Sequence, residues 1–215
     1  MERTKKLEKM TIILFFIAVI FTVLVKCVDV QSIGPRGSAV GFATINRFVH
    51  QLTGENDTWY NITKYLGIIP FLYVLFYAVV GLKQLIIAKK ISKVDKKIIA
   101  LGCFYVVLGL IYILFDKLAI NYRPVLEDGV LEPSYPSSHT LLAVCVCLSS
   151  IFMNKYYIKN NDLKKYLNFG TLILMILLVL GRLLSGVHWA SDIIGGVIIS
   201  LFLVFGFFTV CKKIR

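Results

Sequence analysis

The stretch "GRLLSGVHWASDIIGG", Gly181 to Gly196, decides how this chain is read. It sits between two apolar runs, roughly 168–184 and 190–210, each close to the length of about 20 residues that crosses a bilayer. Arg182, His188 and Asp192 lie close together inside it. A charged side chain at the bilayer centre costs about 2.5–3.5 kcal/mol, so charges near membrane helices sit at their ends, pair with one another, or carry function. The stretch therefore reads as a turn at one membrane surface with functional polar residues on it.

The rest of the chain agrees. Of its 215 residues, 58% are hydrophobic, which is too apolar for a soluble domain of this length. Six runs are long and apolar enough to span: roughly 10–28, 65–82, 98–120, 138–153, 168–184 and 190–210. The expected fold class is all-α, a polytopic bundle of six transmembrane helices forming a single domain over 1–215. The opening "MERTKKLEKM" is basic like a signal peptide. The apolar run after it is long and lacks an A-x-A-like site, so it reads as a retained span. Segment 29–64 is too polar to span, though its apolar residues allow part of it to lie along the interface.

Orientation follows from the basic residues. The first tail has Arg3, Lys5, Lys6 and Lys9; the loop after span two has Lys83, Lys89, Lys90, Lys93, Lys96 and Lys97. The loop after span four adds Lys155, Lys159, Lys164 and Lys165, and the last tail Lys212, Lys213 and Arg215, making 17 of 24 in all. By the positive-inside rule both termini are cytoplasmic. The formal charge of +12 does not point to nucleic acid, because these lysines fall in short runs between apolar segments. The bilayer and its anionic headgroups are the expected partner. Cys27, Cys103, Cys145, Cys147 and Cys211 show no metal-ligand or bridge spacing and read as small apolar packing residues.

With that orientation, three polar clusters face outward together. "DKLAINYRP", Asp116 to Pro124, ends span three. Its Lys117 and Arg123 suit either interfacial anchoring or anion binding. "PSYPSSHT", Pro133 to Thr140, opens span four as a helix start. Such an N-terminus presents unpaired N–H groups to an anion, with His139 in its first turn. In the third cluster a helix beginning near Val187 puts His188 and Asp192, four apart, on one face. The carboxylate then orients the imidazole, either as an activated base or nucleophile or as a polar lock between helices. Two histidines, a carboxylate, two arginines, a lysine and a helix N-terminus suit a phosphate ester or anhydride. No metal is expected: Glu127, Asp128 and Glu132 lack a ligand pattern, and "EDG" reads as a solvated turn.

These motifs resemble those of the type 2 phosphatidic acid phosphatase superfamily, membrane lipid phosphatases related to vanadium haloperoxidases. Its pattern is K-x6-R-P, P-S-G-H and S-R-x5-H-x3-D. Here stand Arg123-Pro124, "PSSH" from Pro136 to His139, and "GRLLSGVHWASD" with Arg182, His188 and Asp192 at the family spacing. The motifs fall within 117–192. Three positions depart: Lys117 is one residue too close to Arg123, Ser138 replaces glycine, and Gly181 replaces serine. The resemblance implies His188 as nucleophile forming a phosphohistidine, Asp192 orienting it, and His139 as general acid. Lys117, Arg123, Ser137, Ser138 and Arg182 would hold the phosphoryl oxygens, with no cofactor. It implies a bacterial plasma-membrane enzyme with its site facing outward, acting on a phosphorylated lipid, undecaprenyl diphosphate foremost. Phosphatidylglycerophosphate, phosphatidic acid, phosphotransfer, and non-catalytic lipid-phosphate binding or transport are the alternatives.

Overall fold

The computed structural model describes residues 2–214. Arg215, one of the basic residues of the last tail, lies outside them. Eight α-helices follow one another: α1 (Glu2–Cys27), α2 (Ala43–Thr53), α3 (Asp57–Leu66), α4 (Ile68–Ala88), α5 (Lys96–Leu118), α6 (Ser138–Tyr157), α7 (Asn161–Leu184) and α8 (Ala190–Lys213). Six helical stretches are long and apolar enough to cross a membrane, the second combining α3 and α4 over Asp57–Ala88. Side-chain caps set several starts, as expected for Asn and Asp at N-caps. Asn56 accepts from Trp59 N–H, Asp95 from Lys97 N–H and Asn160 from Leu163 N–H.

The polar segment 29–64 contains two helices that its composition concealed. α2 exposes Ile45, Phe48 and Leu52 on one side and buries Ala43 and Asn46 on the other. That spacing makes it a short amphipathic helix suited to a membrane surface. α3 runs into α4 through a single residue, Gly67.

α6 is the central helix, packed against α4, α5, α7 and α8. Its polar residues are affordable because they meet protein instead of lipid. Tyr77 Oη donates to Asn154 Oδ1 at 2.8 Å, and Asn154 Nδ2 donates to Asn168 Oδ1 at 2.8 Å. Tyr105 Oη lies 3.1 Å from Ser149 Oγ. Encasement explains why the apolar run of the fourth span is the shortest. α1, by contrast, packs along α8 and presents Ile12, Phe16 and Ile20 outward, each more than half exposed.

The bundle has two distinct ends. At one, Lys213 Nζ meets Glu8 Oε1 at 2.6 Å, and Tyr157 Oη donates to Asp95 Oδ2 at 2.6 Å. The start of α1, the end of α8 and both lysine-rich loops therefore share that end. At the other, the three polar clusters converge. Trp189 Nε1 donates to Tyr122 O at 2.7 Å, Ser137 N–H to Asp192 O at 3.1 Å, and Asn121 Nδ2 to Asp192 Oδ1 at 3.2 Å.

α3 packs on α7 at Gly181. A Cβ placed there would lie 2.4 Å from Thr63 Cγ2 and 3.2 Å from Trp59 Cε3. The space that a serine hydroxyl would need is filled by α3, so the glycine is a packing requirement. Gly181→Ser is expected to destabilise the protein by about 1–3 kcal/mol, the usual cost of overpacking. Thermal unfolding in detergent checks this; an unchanged or raised Tm would show that α3 yields easily.

Candidate active site

The site is built on the first turn of α8. Asp192 is fully buried. Its Oδ2 accepts from Trp189 N–H at 3.0 Å, capping the helix, and its Oδ1 accepts from Asn121 Nδ2 at 3.2 Å. The cap starts α8 at Ala190, so His188 stands in the turn and not on the helical face expected from its spacing. The chain can turn there because Gly186 takes a φ of +70°, and a Cβ on it would strike Gly54 O at 1.9 Å. His188 Nδ1 still faces Asp192 Oδ2, at 3.7 Å. This is a charge contact longer than a hydrogen bond.

His188 is buried, and neither ring nitrogen has a hydrogen-bond partner among the described residues. Burial pulls its pKa below the ordinary histidine value; Asp192 opposes this, while Arg123 and Arg182 reinforce it. The imidazole is therefore held neutral, with its Nε2 lone pair available when Nδ1–H points to Asp192.

His139 lies on the first turn of α6, after Ser137 at the N-cap. Ser137 Oγ faces the Thr140 N–H at 3.4 Å, which commits it to the cap. Ser138 instead lines two adjoining cavities. The polar one, about 280 Å³, also meets Arg123, Glu132, Asp116 and His188. The apolar one, about 460 Å³, runs between α4, α5 and α6 with His139 in its wall. His139 Nδ1 is buried without a partner. Arg182, 1% exposed, stacks on Tyr60 with its Cζ 5.2 Å from the ring centroid, and its Nε and Nη1 are unpartnered. Buried donors left without a protein partner are rare, and these are free to meet a ligand or a water.

Lys117 is exposed on the last turn of α5 and does not line either cavity. The structure thus brings together His188, Asp192, His139, Arg123, Arg182 and Ser138. It leaves Ser137 beneath them as a cap and Lys117 outside.

A model of the PAP2 superfamily matches residues 71–215. The chain belongs to the PAP2 superfamily. No curated protein matches it in sequence. Among solved structures it is similar to the crystal structure of the first transmembrane PAP2 type phosphatidylglycerolphosphate phosphatase from Bacillus subtilis. The identity is 16%, the match covers 95% of this chain and 97% of that one, and the TM-score is 0.62. A shared fold is what that likeness establishes; superfamily membership and the six apolar helices make the chain a multi-pass membrane protein and support phosphatase activity.

With membership in hand, the lysine of K-x6-R-P falls on Asp116, which is among the residues lining the polar cavity. Four further residues shape the site without a signal in the sequence. Asn121 is buried, accepting from Gly41 N–H at 3.0 Å while donating to Asp192. Asn46 Nδ2 donates to Ser191 Oγ at 2.8 Å, and Asn46 Oδ1 accepts from Ser191 N–H at 3.0 Å. Tyr60 comes from α3, which lies before the region the superfamily model matches. Glu127 stands at the Asp128–Gly129 turn, where both φ angles are positive as in a tight hairpin. The turn itself agrees with the sequence, but Glu127 is half-buried against Arg123 instead of solvated. Asn121→Leu keeps the side chain's bulk and strands both the Gly41 amide and one Asp192 oxygen. A loss of about 1–3 kcal/mol of stability is expected, read by thermal unfolding, together with a lower kcat; full activity in that variant would show that Trp189 N–H alone positions Asp192.

Proposed function

We propose that this protein is a membrane lipid phosphatase that works through a phosphohistidine, with a polyprenyl diphosphate such as undecaprenyl diphosphate as its substrate. The observation that carries the reading is the cluster of unpartnered buried polar atoms, Arg182 Nε and Nη1 with His139 Nδ1, beside the neutral His188. Arg123, Arg182 and the N–H groups at the start of α6 hold the phosphoryl oxygens. His188 Nε2 attacks phosphorus as the bond to the leaving oxygen breaks, and His139 delivers a proton to that oxygen. Asp192 supports the imidazolium-like charge that develops on His188. Water then attacks the phosphohistidine and gives a proton to His139, returning neutral His188, protonated His139 and free phosphate. Positive charge comes from the arginines, so no divalent metal is required.

The apolar cavity beside His139 supports a lipid substrate. It shares Val74 and Tyr105 with a second apolar cavity of about 340 Å³ further along α4 and α5. The two follow one another along α4 and α5, a track that suits a single long chain. The fold similarity to a phosphatidylglycerolphosphate phosphatase keeps a phosphatidylglycerophosphate headgroup as the second reading. Purified protein assayed on both lipids separates the two.

The two histidines are expected to fail differently. His188→Ala removes the nucleophile, so no phosphoenzyme forms with any substrate. His139→Ala removes the acid, worth about 10²–10⁴-fold, and an aryl phosphate with a good leaving group partly restores it. Rapid-quench trapping of acid-labile phosphohistidine reads both. Phosphoenzyme in His188→Ala, or equal rescue of both variants, contradicts the roles assigned.

The site is proposed to face outward from the plasma membrane of a bacterium, following the distribution of lysines and arginines. Val130 is exposed beside the polar cavity. In a background lacking the exposed Cys27 and Cys103, Val130→Cys is expected to react with an impermeant thiol reagent in intact cells. Labelling only after lysis would reverse the orientation.

A further inference from the structure

The two arginines of the site differ in what they hold. Arg182 forms no ion pair among the described residues, whereas Arg123 has two carboxylates. Glu127 Oε2 lies 2.5 Å from Arg123 Nη1, and Glu132 Oε2 lies 3.2 Å from Arg123 Nε. Both acids belong to the loop between α5 and α6, which folds back on itself. Arg123 N–H donates to Glu132 O at 3.0 Å, and Glu127 and Val130 exchange backbone hydrogen bonds. The tip is fastened from outside by Arg36 Nη2, which donates to Gly129 O at 2.8 Å.

Glu127 also reaches the second arginine indirectly. Its Oε1 accepts from Tyr60 Oη at 2.6 Å, and the Tyr60 ring lies against the Arg182 guanidinium. Burial alone would push the Glu127 carboxyl up, but the Tyr60 hydrogen bond, Arg123 and Arg182 together hold it below its ordinary range. A carboxylate of the chain itself thus stands as a charge contact at Nη1 of the guanidinium that a phosphoryl group would use, with Glu132 beside Nε. It opposes an incoming anion twice, by filling the donor and by like charge.

We propose that Glu127 is a specificity-determining residue, a resident anion that occupies Arg123 until a lipid-linked phosphoryl group displaces it and that returns to expel free phosphate after hydrolysis. The inference rests on the phosphate-site reading above. A lipid substrate has a second source of binding energy, the apolar track beside His139, with which to offset the displacement. Free phosphate has no tail and meets the full competition. The device keeps a soluble anion, which is also the product, from blocking the site.

The test is equilibrium binding of radiolabelled inorganic phosphate to the purified, detergent-solubilised full chain at neutral pH. Glu127→Gln removes the charge while its amide oxygen still accepts from Tyr60. Phosphate is expected to bind about 10-fold more tightly to this variant than to the wild type, close to one decade of affinity. The inhibition constant for phosphate during turnover is expected to fall by the same factor. A purely structural role for Glu127 would loosen the site, so a gain in affinity separates the two. Tyr60→Phe, which frees Glu127 from its second partner, is expected to shift phosphate affinity in the same direction and serves if Glu127→Gln does not fold. Equal or weaker phosphate binding in a folded Glu127→Gln protein overturns the proposal. If wild type and Glu127→Gln alike bind no phosphate, and Arg182→Ala changes nothing, the phosphate-site reading falls with it. If Arg182→Ala abolishes binding while Glu127→Gln leaves it unchanged, the site stands and only the role of Glu127 is refuted.

Discussion

A buried carboxylate must be satisfied on both oxygens, and the site is organised around how Asp192 meets that requirement. One oxygen takes the Trp189 N–H and so starts α8. The other takes the Asn121 amide, which in turn holds Gly41 N–H. These few bonds fix the first turn of α8, the strand-like exit from α5 and the loop that follows α1. The Ser137 amide, bonded to the Asp192 carbonyl, adds the start of α6. The three polar clusters meet because one acidic residue needs partners from several of them.

Burial also sets the strength of the chemistry. In a setting of low effective dielectric, an unpaired guanidinium such as that of Arg182 attracts an anion far more strongly than it would in water. The same burial favours the uncharged form of the His188 imidazole. Polar residues on α6 extend the principle into the bundle: Asn154 and Ser149 are tolerated because Tyr77 and Tyr105 reach them. Lipid-facing α1 makes scattered polar contacts among the described residues, such as Thr22 with Tyr135 and Thr11 with Thr209.

Much of this was legible in the sequence, for physical reasons. Six spans follow from runs of apolar residues, since the bilayer demands length and hydrophobicity at once. The spacing of Arg182, His188 and Asp192 brought these residues to one place even though the helix begins three residues later than Val187. That shift was hidden because Asp192 acts as a helix cap as well as facing His188, and spacing reveals only one of these. α2 and α3 were missed because short amphipathic helices interrupted by Gly54 and Gly67 resemble a polar loop. Asn121, Tyr60 and Glu127 carry no periodicity at all; they matter through partners distant in the chain. The exposed position of Lys117 has a plainer origin, since a helix turns by about 100° per residue and one residue of offset redirects the side chain.

The packing of α3 onto Gly181 has a consequence for what counts as this protein's minimal unit. The motifs all lie in the second half of the chain, and the superfamily match begins at Phe71. Yet Thr63 and Trp59 close the wall behind Arg182, Tyr60 supplies its aromatic face, and Asn46 braces Ser191 next to Asp192. The catalytic half is thus unfinished on its own. A chain cut back to the matched region would lose the wall behind Arg182, its aromatic face and the brace on Ser191, so the motifs alone do not define the pocket.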